Sequence, residues 1–212
     1  MTEVKICGLT RPEDVRLACE LGARWLGFNF AAGSPRRLSL SRAKELASEA
    51  VPGVARVGVF VDETVEDVRR AVDAASLDFV QVHRPLRPED TWEMPRPVLA
   101  VVRVPAPPDR LAIPGADALA RCRAVLFDTA APGRDGGTGA VFDWSVLDRT
   151  RWPVPVMLGG GLDAGNVEAA IARVRPSAVD VASGVESAPG VKDPSRMERF
   201  FRAVEDADAR LA

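Results

Sequence analysis

A few side chains along this 212-residue chain could move protons or grip an anion. In VKICGLTRPED (Val4–Asp14) a short apolar run ends on Cys7, a glycine follows, and a helix start comes next. A second apolar run ends at Asp128. A thiolate can accept a proton and a neutral carboxylic acid can give one, which requires surroundings that lower the pKa of Cys7 and raise that of Asp128. Composition alone favours packing over reactivity for Cys7, because cysteine is a small, commonly buried side chain. Asp128, before Thr129, reads equally well as a turn residue. Two further runs lead into Gly159-Gly160-Gly161 and Asp180-Val181-Ala182-Ser183-Gly184. Glycines let backbone N–H groups approach an anion closely. The pairing of Gly160 and Gly161 with Ser183 and Gly184 in the next unit points to a phosphate rather than to plain turns. Arg36, after Ser34-Pro35, carries a planar fork suited to a carboxylate, although the Arg36-Arg37 pair by itself would read as solvated charge. Gln81, His83 and Asp180 complete the polar set at strand-like ends. A single histidine and dispersed carboxylates argue against a metal.

These residues need elements to hold them. Eight short, mostly continuous apolar runs fit parallel strands buried on both faces: Val4–Cys7, Trp25–Phe30, Ala55–Val61, Phe79–Val82, Val98–Val104, Ala124–Phe127, Val154–Leu158 and Ala178–Val181. Helical patterns lie between them. Thr10 and Glu13 form a capping-box pattern with Pro12 in the first turn, Thr64 caps a Val65/Val68/Val72 stripe, and Asp163 caps a helix burying Val167, Ala170, Ile171 and Val174. Any helix in the stretch 84–97 is short, and 105–114 is broken by prolines. Strands alternating with helices predict a single-domain (β/α)8 barrel over residues 1–212, with short loops and the active site at the C-terminal strand ends. A doubly wound sheet is the rival, but no G-x-G-x-x-G follows the first strand.

Composition narrows the function classes. Hydrophobic residues make up 47% of the chain, enough for a substantial core, and a net charge of -2 gives no support to nucleic-acid or anionic-membrane binding. No apolar run could span a bilayer, and no signal peptide is visible. Cys7, Cys19 and Cys122 do not form a disulfide framework, so a reducing cytoplasm fits best.

KICGLT (Lys5–Thr10) resembles the opening signature of the phosphoribosylanthranilate isomerases. The resemblance continues in order through GFNFAAGSPRRLS, RVGVFVDE, FVQVH, LFDTAAPGRDGGTGAVFDW, PVMLGGGLDAGNV and VDVASGVESAPGVKD. A series of this length overrides the packing reading of Cys7. It implies an Amadori rearrangement in tryptophan biosynthesis that converts phosphoribosylanthranilate into carboxyphenylamino-deoxyribulose phosphate without redox cofactor or metal. By this resemblance Asp128 is the general acid and Cys7 the base. Arg36 meets the anthranilate carboxylate, Gly160, Gly161, Ser183 and Gly184 hold the phosphate, and residues 132–139 form a covering loop. Gln81, His83 and Asp180 are pocket candidates. The expected partner is a phosphorylated small molecule, and the protein a monomer or homodimer. Asn29, Gly33 and Arg84 depart from the common pattern, as does a fifth strand without its usual lysine.

The alternatives are separable. A metal-dependent sugar-phosphate epimerase needs more than one histidine and would lose activity in a chelator. A bifunctional isomerase serving histidine synthesis resembles barrels with an aspartate where Cys7 stands. A non-catalytic binding barrel would not turn substrate over.

Overall fold

The computed structural model describes residues 1–87, 89–105, 113–129, 141–147 and 152–211. Its sheet is a closed barrel in which β1 (Glu3–Cys7), β2 (Trp25–Asn29), β3 (Ala55–Phe60), β4 (Phe79–Val82), β5 (Val98–Val104), β6 (Ala124–Thr129), β7 (Val156–Leu158) and β8 (Ala178–Val181) are paired in chain order, β8 closing on β1. All eight pairings are parallel. Helices α1 (Pro12–Glu20), α2 (Leu40–Ser48), α3 (Val65–Ala75) and α6 (Val167–Val174) cross between strands. The crossovers after β4 and β5 hold only the four-residue helices α4 (Asp90–Glu93) and α5 (Ala116–Leu119), and the one before β7 holds a 3₁₀ turn (Trp144–Leu147). After β8 come a second 3₁₀ turn (Ser183–Val185), a hairpin of β9 (Glu186–Ala188) and β10 (Val191–Lys192), and α7 (Pro194–Leu211). No described helix is long and apolar enough to cross a membrane.

The strand ends fall close to expectation, with one difference that matters: β6 continues to Thr129, so Asp128 lies inside the strand with a buried carboxyl. Two of the expected caps are not formed. The Thr10 hydroxyl donates to the carbonyl of Gly190, so α1 begins after Arg11 without a side-chain cap, with Pro12 at its first turn. The Asp163 side chain accepts from Gly165 N–H in a turn, and the residue before α6 is Asn166. Thr64 caps α3 as expected, with Asp67 completing the box.

Successive side chains along a strand alternate between the barrel interior and the helix layer. Val4, Ile6, Val80, Val82, Val125, Phe127, Val179 and Val181 pack outward into the large core shared with the helices. A separate cluster of Trp25, Val57, Leu99, Val101, Leu126 and Met157 fills the lower barrel. The same inward parity then gives Cys7 above Lys5 on β1, Asp128 above Leu126 on β6 and Asp180 above Ala178 on β8. An apolar plug thus carries a polar layer at the C-terminal end, where the barrel opens.

Candidate active site

The polar layer floors an open cleft. Cys7, Arg36, His83, Asp128, Gly160, Gly161, Asp180 and Ser183 all line it. Gln81 sits one layer down, fully buried, and Gly184 lies behind the cleft wall. The expected covering loop, 132–139, lies outside the described residues.

Cys7 is buried, and it does not have the lowered pKa anticipated for a base. Burial pushes the thiol above its ordinary value of 9.0, Lys5 and Lys192 pull the other way, and Asp180 adds a further upward push. Lys5 shares the inward face of β1 with Cys7 and is fully buried, with Nζ 2.8 Å from Asp180 Oδ1. Burial opposes its charge, but Asp180 and Cys7 together hold its pKa above the lysine range. Room for the thiol comes from Gly27, its partner on β2: a Cβ there would lie 2.8 Å from Cys7 Sγ and 2.9 Å from its Cα.

Asp128 has the raised pKa anticipated for a proton donor. Burial and the neighbouring charge of Asp180 raise it to about 7, against opposing pulls from Arg103, the Thr129 N–H and Lys5. Arg103 is its register partner on β5, so an arginine stands on the strand that lacks the usual lysine. His83 Nδ1 lies 4.0 Å from Asp128 Oδ2, and His83 Nε2 is 2.6 Å from Gln81 Nε2. The imidazole therefore lies between the Gln81 amide and the Asp128 carboxyl.

The glycine loops meet two demands. Gly160 (φ +81°) and Gly161 (φ +70°) adopt the left-handed backbone that glycine accommodates. A Cβ at Gly160 would sit 2.4 Å from Thr129 N and 3.0 Å from Asp128 Oδ1, and one at Gly184 only 1.9 Å from Leu162 O. Both glycines are therefore required by packing, independently of any ligand. Among the described residues, the N–H groups of Gly160, Gly161, Ser183 and Gly184 donate to no backbone carbonyl. Gly160, Gly161 and Ser183 line the cleft and Gly184 does not; unspent N–H groups beside a cleft are the arrangement an anion needs.

Arg36 lines the cleft where its stem crosses Gly8, its fork gripped by Glu186 at 2.8 and 2.5 Å. Glu186 and Lys192, which the motif reading did not single out, are both buried. Asn29 and Arg84, two of the departures, have local partners. Asn29 Oδ1 accepts from Ala31 N–H, and Arg84 makes a two-pronged pair with buried Asp90 at 2.6 Å.

Known proteins match this chain along nearly its whole length. A family model described as N-(5'-phosphoribosyl)anthranilate (PRA) isomerase matches residues 4–203. The N-(5'-phosphoribosyl)anthranilate isomerase of Pseudomonas putida strain W619 is 43% identical over 209 residues, covering 96% of this chain and 97% of that one. The crystal structure of phosphoribosyl anthranilate isomerase from Thermotoga maritima superposes with a TM-score of 0.82 at 35% identity, covering 97% of this chain and 100% of that one. A phosphoribosyl anthranilate isomerase in complex with reduced 1-(o-carboxyphenylamino)-1-deoxyribulose 5-phosphate gives a TM-score of 0.78 at 33% identity, with coverage of 97% and 100%.

Proposed function

The chain belongs to the N-(5'-phosphoribosyl)anthranilate isomerase family, and from that premise we propose that Asp128 and Cys7 drive an Amadori rearrangement of phosphoribosylanthranilate as acid and base. The carrying observation is the buried Asp128 carboxyl, whose pKa of about 7 keeps a proton available at neutral pH, on the same cleft as the Cys7 thiol.

The steps follow from the charges. Asp128 protonates the ribose ring oxygen, a weakly basic ether, and the ring opens to a protonated Schiff base. The resulting carboxylate is left near Arg103 and Lys5, the two cations that favour its ionised form. The positive Schiff base acidifies the C2 proton and adds the positive charge that the thiolate of Cys7 needs beside Lys5. Cys7 takes the C2 proton and becomes the neutral thiol that burial prefers. The enolamine then tautomerises to the ketone. That tautomerisation adds one proton at C1 and removes one from the C2 hydroxyl; the Cys7 thiol giving the first and the Asp128 carboxylate taking the second return both groups to their starting forms. The phosphate is assigned to the N–H cluster of Gly160, Gly161, Ser183 and Gly184, and the anthranilate carboxylate to Arg36. The substrate is thus held at two ends across the acid and the base, which fixes the geometry of the two proton transfers.

The test is a fluorescence assay of phosphoribosylanthranilate consumption by purified protein, with Cys7→Ser beside it. A hydroxyl is a far weaker base, so turnover falls at least ~10²-fold while substrate affinity changes little. Cys19→Ser and Cys122→Ser keep turnover. Near-normal turnover by Cys7→Ser would remove the thiol from the mechanism.

A further inference from the structure

The site spends two cations on one buried carboxylate. Glu186 begins the hairpin appended to β8 and is 5% exposed; Lys192 ends that hairpin and is 1% exposed. Glu186 Oε1 accepts from Arg36 Nε at 2.8 Å, from Lys192 Nζ at 2.9 Å and from Gly190 N–H at 3.3 Å, while Oε2 accepts from Arg36 Nη2 at 2.5 Å. Lys192 Nζ also donates to the carbonyls of Cys7, at 2.6 Å, and Ala182, at 3.1 Å. A buried ion group is costly unless its hydrogen bonds are filled. Here the carboxylate is filled, and the group as a whole carries one excess positive charge beside the cleft.

The guanidinium has one edge committed and one open. Glu186 occupies Nε and one side of Nη2; among the described residues Nη1 makes no hydrogen bond. The stem of Arg36 is also fixed. It crosses the backbone at Gly8, where a Cβ would lie 2.3 Å from Arg36 Cδ, and the Arg36 N–H donates to Ser34 Oγ at 3.1 Å.

We infer that Glu186, braced by Lys192, is the positioning residue that turns the free edge of Arg36 toward a carboxylate-bearing substrate and sets that edge's register against Cys7. The register follows from a shared anchor: the ammonium that braces Glu186 also holds the backbone carbonyl of the base. A carboxylate arriving at the open edge cancels the excess charge, so the site selects an anionic aromatic amine over its uncharged counterpart. This rests on the assignment of Arg36 to the anthranilate carboxylate made above.

The experiment compares wild type with Glu186→Gln. It measures kcat and KM for phosphoribosylanthranilate, and calorimetric Kd values for two non-reacting ligands: reduced 1-(o-carboxyphenylamino)-1-deoxyribulose 5-phosphate and its phenylamino counterpart lacking the carboxylate. Losing a charged two-pronged grip should raise KM and the carboxylated ligand's Kd about tenfold. Binding of the carboxylate-free ligand should hold, and kcat should fall less than kcat/KM. Glu186→Asp keeps a charge beside Lys192 but is too short to keep both grips; if the glutamine variant does not fold, this one should show the same selective loss. Equal weakening of both ligands, or unchanged or tighter binding of the carboxylated one, would overturn the positioning role. A wild type that binds both ligands equally would instead overturn the Arg36 assignment, and this inference with it.

Discussion

Replacing Asp128 with asparagine should reveal which limb of the pH profile belongs to which group. The proposed rearrangement needs Asp128 protonated and Cys7 ionised. Yet Asp128 titrates at about 7, and Cys7 is pushed above 9.0 by burial. Between those values the dominant singly protonated form is the wrong one, with carboxylate and thiol. The competent form is its tautomer, a minor species whose share falls tenfold for each unit by which the thiol lies above the carboxyl. The wild-type profile of kcat/KM should still be bell-shaped. Its acidic limb, near 7, belongs to Asp128, and its alkaline limb, above 9, belongs to Cys7. The charges around the pair come from Lys5 and Asp180 for both groups, from Lys192 for the thiol and from Arg103 for the carboxyl, with His83 at 4.0 Å.

In Asp128→Asn the acid is gone, and turnover should fall by ~10²–10⁴-fold, the usual worth of a general acid. The residual rate should have no limb near 7. It should climb with the thiolate of Cys7 alone and level off only above pH ~9. Alkylation of Cys7 by iodoacetamide, followed against pH in a Cys19→Ser/Cys122→Ser background, should give the same midpoint. A residual rate already level at neutral pH, or an alkylation midpoint below neutrality, would show that the thiol is ionised at rest. The inverted protonation argued here would then be wrong.

The same substitution should stabilise the fold, and only at higher pH. The folded pKa of Asp128 lies above its unfolded value, so native stability is intact in acid and lost as pH rises toward about 7. Three units amount to at most about 4 kcal/mol, so denaturant melts should show Asp128→Asn ahead of wild type near pH ~8 and level with it near pH ~4; equal gains at both would refute the linkage. Gly160→Ala forces an L-residue to φ +81° and sets a methyl against Thr129 N and Asp128 Oδ1. It should cost ~1–2 kcal/mol and also displace the acid, lowering kcat; unchanged kcat would show that β6 gives way without moving the carboxyl. Gly27→Ala pushes on Cys7 Sγ and Cα, so it should slow Cys7 alkylation and turnover together. Loss of turnover with normal alkylation would place its effect elsewhere.

The barrel was legible because its strands are short, β-branched runs punctuated by helix signals. Parallel strands covered on both faces cannot hide as anything else in a chain this rich in apolar residues. The site was legible only where chemistry and position coincide. Cys7, Asp128 and Asp180 are polar interruptions of apolar runs, and the inward parity of their strands places all three at the mouth. The other half of the site had no such signature. Gly27 reads as one more strand residue until its register with Cys7 is known. Lys5 reads as a polar residue near an exposed strand start, but it is fully buried because Asp180 on β8 is its register partner. Glu186 and Lys192 fall in ESAPGVKD, a stretch whose proline, glycine and mixed charge describe a solvated turn. They are buried because the hairpin folds back over the ends of β1 and β8, where the Cys7 and Ala182 carbonyls and the Arg36 fork await them. The failed cap at Thr10 has the same origin, since its hydroxyl is drawn to Gly190 in that hairpin. Local pattern predicts what a residue does to its neighbours in the chain. Thr10, Glu186 and Lys192 act on neighbours roughly 150 or more positions away. The charge that holds a thiol beside a carboxylate site is therefore written in closure of the barrel, not in any single motif.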